Sequence, residues 1–307
     1  MTFLSYAQNF EDVILNRFFS NIEKGFYIDV GAHHPEVDSV TKLFYERGWN
    51  GINIEPASES FQLFEAERVR DINLNIACGN SNGVIEFYQF EESGLSTIKS
   101  VIADQHAVGG RRYTSKIINL RVLNDILGEY EIGDIHFLKV DVEGAEKDVL
   151  SGIDLRRYRP WVILVEATEP NKTKTNHEEW EFILNDAGYK FVYFDGLNRF
   201  YISEKCSDFE NFFLIPPNVF DDFMLAKFDA SLKHAHHWYL HAKNLNEQLD
   251  ASLNNAHHWY LHSKSLNEQL DASLKNAHNW YLRTIELEKQ TIKGIFRRLF
   301  KFLLVNK

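Results

Sequence analysis

The sequence predicts an α/β fold with a mostly parallel sheet covered by helices on both faces, followed by a long C-terminal helical coiled coil. Three observations lead there. Over the first ~215 residues, short β-rich runs alternate with helical patterns, which is how parallel strands joined by crossover helices read. The last two of these runs flank Asp195-Gly196 and a short loop, which reads as a hairpin and makes the final strand antiparallel. After Pro217 there is no further proline and Gly294 is the only glycine, so the rest of the chain can stay helical.

The strands are expected at 26–30 (FYIDV), 51–55 (GINIE), 73–77 (NLNIA), 84–90 (VIEFYQF), 136–141 (HFLKVD), 161–166 (WVILVE), 190–194 (KFVYF) and 199–202 (RFYI). Each is rich in branched and aromatic residues that fit a pleated surface. Helical spacing of apolar residues appears near 8–19, 36–47, 57–68, 144–151 and 177–187.

Composition narrows the classes. Of 307 residues, 44% are apolar and 25% charged, the balance of a globular chain. No run reaches the ~20 apolar residues of a membrane span. Lys and Arg number 33 against 44 Asp and Glu, a net charge of −11 that disfavours a nucleic-acid backbone as partner. Cys78 and Cys206 are too few for a disulfide framework. The opening MTFLSYAQNFED lacks the basic and apolar regions of a secretory signal, so a cytoplasmic location is expected.

The C-terminal third is repetitive. Residues 229–249 and 250–270 differ at four of 21 positions, and 271–282 begin a third copy. Twenty-one residues are three heptads, each repeat adding about 32 Å of helix. Leu232, Tyr239, Asn246 and Leu253 fall at position a when Ala235, Ala242, Leu249 and Ala256 fall at d. Trp238 and Leu245 widen the stripe, which suits a trimer or larger bundle, whereas Asn246 and Asn267 at a favour a dimer. Self-association through this coiled coil is expected. His237 with His241, and His258 with His262, have the i,i+4 spacing of metal ligands, but a solvated helix face explains them more simply. From 289 onward there are six basic and no acidic side chains. Ile292, Ile295, Phe296, Leu299, Phe300 and Leu303 form an apolar face, mostly opposite Lys293, Arg297, Arg298 and Lys301. That pattern fits a helix lying in an anionic membrane interface. The expected divisions are a head at 1–221, a coiled coil at 222–288 and a basic amphipathic helix at 289–307.

Ligands of open α/β sheets bind beyond the carboxyl ends of the strands. The first strand ends in Asp29-Val30-Gly31-Ala32-His33-His34-Pro35. One glycine lets backbone and ligand approach closely, but a dinucleotide fingerprint needs three, which argues against NAD and FAD. Glu55, 26 residues after Asp29, can accept two hydrogen bonds from a ribose diol, or simply cap the helix that follows. Lys139, Asp141 and Glu143 leave the strand at 136–141, and Glu166 ends the strand at 161–166. A helix N-terminus alone would attract Asp141 and Glu143, but not the lysine.

These elements, in order, resemble one family. SYAQNFEDVIL (5–15), FYIDVGAHHP (26–35), GINIEP (51–56), ACGN (77–80), SGLSTI (93–98), FLKVDVEGAEKDVL (137–150) and ILVEAT (163–168) are similar to the FkbM family of S-adenosylmethionine-dependent methyltransferases. The resemblance covers roughly residues 5–203. It implies the class I methyltransferase (Rossmann-like) fold, a seven-stranded sheet whose last strand is antiparallel, and S-adenosylmethionine as cofactor. Residue by residue, Asp29, Gly31 and Ala32 correspond to the loop beside the methionine end of the cofactor. Glu55 corresponds to the ribose-binding acid, Ala77 and Cys78 to the segment flanking the adenine, and Gln8 and Glu11 to an element closing over the site. Asp141 and Glu143 correspond to the element facing the transferred methyl. His33-His34-Pro35 departs from relatives that carry an asparagine and another glycine there, which leaves these histidines free to face the acceptor.

The chemistry that follows is transfer of a methyl to a sugar hydroxyl. The hydroxyl needs a base, for which Asp141 stands first, with His33, His34 and Glu166 behind it and Lys139 orienting Asp141 or holding an acidic acceptor. Oxygen ligands on Asp141, Glu143 and Glu166 suit Mg²⁺, but hydroxyl activation does not require an ion and none is expected. A catalytic head, an extensible rod and a basic foot point to a glycan acceptor at the cell surface or on a lipid carrier, with peripheral contact at the cytoplasmic face of the inner membrane. The competing expectations are a methyltransferase of small secondary metabolites, and a non-catalytic scaffold with a degenerate head.

Overall fold

The computed structural model describes residues 2–91, 94–170, 172–253 and 260–305. In chain order the strands are β1 (Phe3–Ser5), β2 (Phe26–Val30), β3 (Asn50–Ile54), β4 (Ile72–Leu74), β5 (Ala77–Gly79), β6 (Gly83–Phe90), β7 (Tyr113–Val122), β8 (Phe137–Val140), β9 (Val162–Glu166), β10 (Tyr189–Phe194), β11 (Asn198–Ser203) and β12 (Phe223–Leu225). The helices are α1 (Glu11–Phe18), α2 (Lys42–Glu46), α3 (Ser58–Glu67), α4 (Ser100–Val108), α5 (Leu123–Gly128), α6 (Glu146–Ser151), α7 (Glu181–Asp186), α8 (Ala226–Leu253) and α9 (Tyr260–Val305). The chain divides into two compact units, residues 5–221 and residues 1–4 with 222–307.

The first unit is built on a seven-stranded sheet of order β10-β11-β9-β8-β2-β3-β4. Strands β4, β3, β2, β8 and β9 run parallel, and β11 is antiparallel to both β9 and β10. This is the mixed sheet with an antiparallel last strand that the resemblance implies. The central strands are covered on both faces, so they read as continuous apolar runs. Ile28, Val30, Leu138, Val140, Ile163 and Val165 pack into one core cluster, and Tyr27, Phe137, Val162 and Leu164 into the other. Lys139 and Asp29 are the exceptions, paired across β8 and β2 on one face.

Two strand expectations need correction. The run 73–77 splits: β4 ends at Leu74, and β5 leaves for a separate three-stranded sheet of order β5-β7-β6. The run 84–90 lies in that small sheet, antiparallel to β7, and adds nothing to the main one. Strand β7 and helix α4 were not expected. Much of β7 is solvent-exposed, so it lacks the apolar signature of a core strand. Helix α2 starts at Lys42, later than the expected 36, because residues 31–41 fold into a loop at the strand ends.

In the second unit, β1 and β12 form a two-stranded sheet, and α8 and α9 pack on each other. Of the two arrangements open to this segment, one long helix or a few stacked helices, the chain takes the second, as two helices packed together. Residues 254–259, which join them, lie outside the described residues, as do His258 and the side chain of His262. Ala242, Leu270 and Thr284 are buried in this unit, and Ala235, Ala277 and Thr291 are half-buried. These all occupy position d, so that column of the heptad is the seam. The a positions Tyr239, Asn246 and Asn267 are exposed, and the asparagine argument for a dimer loses its buried site. The physical reason is that a repeated stripe finds its own copy on the same chain, without the entropy cost of a second molecule. Ile292, Phe296 and Phe300 on α9 are exposed. Among the described residues no helix is long and apolar enough to cross a membrane.

Candidate active site

Strands β9, β8, β2 and β3 lie side by side, and each delivers polar side chains at its carboxyl end. The loop after β2 turns across its neighbours. The Gly31 and Ala32 N–H groups donate to the Ile54 carbonyl at 3.0 and 3.2 Å, and the Asp141 N–H donates to the Val30 carbonyl at 3.0 Å. Gly31 has φ +80°, and a Cβ there would lie 1.7 Å from the Asp141 carbonyl oxygen. The close approach that demands glycine is thus to the loop after β8. Arg68, fully buried, braces the same loop by donating to the Pro35 carbonyl and, at 3.1 Å, to Ser39 Oγ.

Glu55 is buried just beyond β3. Its Oε2 accepts the His33 N–H and its Oε1 the Ala57 N–H, both at 2.7 Å. It therefore does cap the entry to α3, and each oxygen keeps a lone pair for a further donor. Burial pushes its carboxyl up to about 7, against the lowering effect of those two N–H groups. His33 takes a left-handed φ of +58° to reach it. Burial, then the Lys139 charge, lower the His33 pKa. His34 Nδ1 accepts the Glu36 and Val37 N–H groups, both at 3.0 Å. An accepting ring nitrogen carries no proton, so the neutral ring is protonated on Nε2 and is a donor. Its visible work is to shape the 33–37 turn.

Lys139 is buried in the middle of this edge. Its Nζ lies 3.1 Å from Asp141 Oδ2, 3.5 Å from Asp29 Oδ1 and 3.4 Å from the Gly31 carbonyl. Burial works against its charge, but Asp141 and Asp29 outweigh it and raise the ammonium above its ordinary range. Asp29 is buried, held by Thr41 Oγ1 at 3.4 Å on Oδ2. Burial raises its pKa while Lys139 lowers it.

Next to this pair, Asp141, Glu143 and Glu166 converge, with one carboxylate oxygen from each lying within 4.8 Å of the others. Glu143 sits at φ +51°, and Thr97 Oγ1 donates to its carbonyl at 2.9 Å. Burial, then Asp141 and Glu146, push the Glu143 carboxyl up to about 9. Burial, then Asp141 and Glu143, raise Glu166 well above the carboxylate range. Glu146 shapes the loop from inside: its Oε1 accepts the Val142 and Gly144 N–H groups at 3.1 and 3.0 Å.

The N-terminal element also reaches this edge of the sheet. Glu11 is buried, with Oε1 accepting from Asn198 Nδ2 at 2.8 Å and Oε2 from the Asn9 N–H at 2.8 Å. Burial and the nearby Asp195 push it up to about 8. Its charge acts on Lys139. Gln8, by contrast, is exposed. Ala77 and Cys78 are both buried in β5, and Cys78 packs into the main core, where burial pushes its thiol up to about 12. The cysteine side chain is thus a core element.

Sequence reasoning passed over Arg68, Asn198, Thr97 and Glu146. Glu146 stood inside the KVDVEGAE segment, but its role in holding the loop depends on backbone turns that spacing does not reveal. Asn198 precedes an ordinary strand, and nothing local marks it as the partner of a residue 187 positions away.

Compared with known proteins, residues 29–191 match the model of the methyltransferase FkbM domain. No curated protein matches the chain significantly. One similar solved structure is a Streptococcus pneumoniae protein described as a candidate tRNA (m1A22) methyltransferase. It is 11% identical, with 89% of this chain and 99% of that chain covered and a TM-score of 0.31, too low to carry an argument.

Proposed function

The chain belongs to the FkbM methyltransferase domain family, whose model spans just over half of it, and from that premise we propose that it transfers the methyl group of S-adenosylmethionine to a hydroxyl of a glycan. The observation that carries the reading is one sheet edge with two kinds of side chain on it. Towards β3 lie a buried carboxyl and a glycine loop; towards β9 lies an acid cluster neutralised on one side by a buried lysine.

The residues present fit the cofactor. Glu55 offers lone pairs to a ribose diol, and Asp29 Oδ1 is buried without a hydrogen bond in the segment assigned to the methionine side. In this reading the segment carrying Gln8 and Glu11 closes over the cofactor, with Glu11 anchoring it to Asn198. The cofactor supplies a methyl on a positively charged sulfur, already activated for displacement. What the chain must supply is alignment of the acceptor oxygen with that methyl and a place for its proton. Asp141 is the base: partly exposed at the strand end and held in place by Lys139 on Oδ2. As the oxygen–carbon bond forms and the sulfur–carbon bond breaks, the sulfur would leave as a neutral thioether and the hydroxyl proton would pass to the Asp141 carboxylate. Glu166 is buried beside Asp141 at the end of β9, and burial together with Asp141 and Glu143 raises its carboxyl well above the ordinary range. Lys139 limits the charge built up at the edge.

The glycan and membrane parts rest on the C-terminal sequence. The basic run from 289 and the exposed Ile292, Phe296 and Phe300 suit an anionic lipid surface. Since α8 and α9 pair within the chain, the repeats serve as a helical hairpin, and a ruler role is no longer part of this reading.

Calorimetric titration with S-adenosylmethionine, with Glu55→Ala alongside, tests the core claim. Saturable binding, weakened at least tenfold by the substitution, supports it; a folded protein that binds none refutes it. A labelled-methyl search in membrane glycans then tests the acceptor, and label appearing only in small soluble metabolites would move the function to that class.

A further inference from the structure

We infer that Asp141, Glu143 and Glu166 form a site for one hard divalent cation of the Mg²⁺ or Mn²⁺ class, with its remaining positions open to water and to the acceptor oxygen. Asp141 and Glu143 come from the loop after β8 and Glu166 from the end of neighbouring β9, and they present one carboxylate oxygen each within 4.8 Å of one another. An octahedral ion with metal–oxygen distances of about 2.1 Å places its ligand oxygens about 3.0 Å apart when adjacent and about 4.2 Å apart when opposite. The observed spread needs only side-chain adjustment to reach those values.

Proximity alone would be a poor argument, since acids often gather on surfaces. Here the cluster is partly withdrawn from the surface, with Asp141 and Glu143 half-buried and Glu166 buried. Glu166 is only 6% exposed, and its Oε2 is buried with no hydrogen-bond partner. Glu143 Oε2 is likewise buried and without a partner. Buried carboxylate oxygens left without a donor are costly, and native structures satisfy them with a proton donor, water or an ion. Protein cations do not fill the need. Lys139 is already shared among Asp141, Asp29 and the Gly31 carbonyl, and no ion pair reaches Glu143 or Glu166 among the described residues. A proton shared between Asp141 and Glu166 would satisfy that pair only, leaving Glu143 Oε2 without a partner. A cation at the point where all three converge satisfies every one.

The donor set is all oxygen, which selects a hard ion over Zn²⁺ or Cu²⁺. Three protein ligands leave positions for exchangeable oxygens, as a catalytic rather than a structural ion needs. An acceptor hydroxyl bound there would be made more acidic. The ion's role in turnover rests on the methyl-transfer reading; its binding does not.

The test is direct binding. Full-length protein stripped with chelator is titrated with Mn²⁺ and the free ion is followed by electron paramagnetic resonance, with Mg²⁺ as competitor. The expected result is one Mn²⁺ per chain, displaced by Mg²⁺ and weakened at least tenfold in both Glu166→Gln and Glu143→Gln. Glutamine keeps the shape and removes the charge, and thermal melting confirms that each variant folds. His237→Ala/His241→Ala controls for the histidine-rich helix. No stoichiometric binding, or binding lost in the histidine variant but kept in Glu166→Gln, overturns the site. Calorimetry with S-adenosylmethionine in the absence of metal separates the two ideas. Cofactor binding without Mn²⁺ binding ends this inference alone, and Mn²⁺ binding without cofactor binding ends the methyltransferase reading alone.

Discussion

Replacing Gly31 by alanine perturbs the place where the loop after β2 crosses the loop after β8. Two costs add. At φ +80° an L-residue is strained, worth about 1–2 kcal/mol. The new Cβ would also lie 1.7 Å from the Asp141 carbonyl oxygen, which is backbone and cannot swing aside. Forcing a methyl into such a contact adds about 1–3 kcal/mol through displaced backbone. Gly48 provides the control, because it has φ +90° with nothing within 4 Å of its Cβ position. Gly48→Ala therefore carries the strain alone, about 1–2 kcal/mol. For a unit of this size each kcal/mol lowers Tm by roughly 2–4 °C. Gly31→Ala should melt about 2–12 °C below Gly48→Ala in a thermal scan. It should also lose cofactor affinity, because relieving the clash moves Asp141 or the loop. Equal melting temperatures would show that the two loops are not in contact as described, and the geometry built on their crossing would fall.

Three further outcomes follow from the same geometry. Glu11 and Glu55 are raised to about 8 and about 7 from an ordinary 4.5. The folded protein then holds more protons than the unfolded chain above pH 4.5, so the ligand-free protein should lose stability as pH rises from about 4.5 to about 8; Glu11→Gln should flatten this slope in melting scans across pH, and an unchanged slope would refute its assignment. His34→Ala removes the acceptor of two exposed backbone N–H groups, which should cost about 0.5–1.5 kcal/mol and weaken cofactor binding by displacing the 33–37 turn; if cofactor affinity is kept while only methyl transfer falls, the histidine acts on the acceptor instead. Ala242→Asp places a charge in the buried seam of the second unit, which should cost several kcal/mol and reduce helical circular dichroism, whereas unchanged helicity would mean that α8 and α9 do not depend on that seam.

Much of the fold was readable in the chain itself. Central strands buried on both faces carry unbroken apolar runs, and those runs located β2, β3, β8, β9, β10 and β11 to within a residue or so. The sheet with an antiparallel last strand followed from their order and the Asp195-Gly196 turn. The small sheet was not readable, because β7 is largely exposed and alternates without a strong apolar side. The heptads showed that the tail is helical, but they left a, d and g as candidate seams, and only the structure singled out d. They did not show whether the stripe would meet another chain or itself, since the repeats are identical in either case.

The same division applies to the site. Sequence alone determined which acids stand at strand ends, because an acid that terminates an apolar strand is visible without any structure. It also determined that one glycine, and not three, follows the first strand. Only the tertiary structure decided what those residues do to each other. That Gly31 must be glycine because of Asp141, that His34 is committed to backbone N–H groups, that Glu11 is held by Asn198, and that Glu143 and Glu166 bury oxygens without donors are facts of distance between residues far apart in the chain. Hydrogen bonding and desolvation act over a few ångströms of space, and the chain order records that proximity only where it is local.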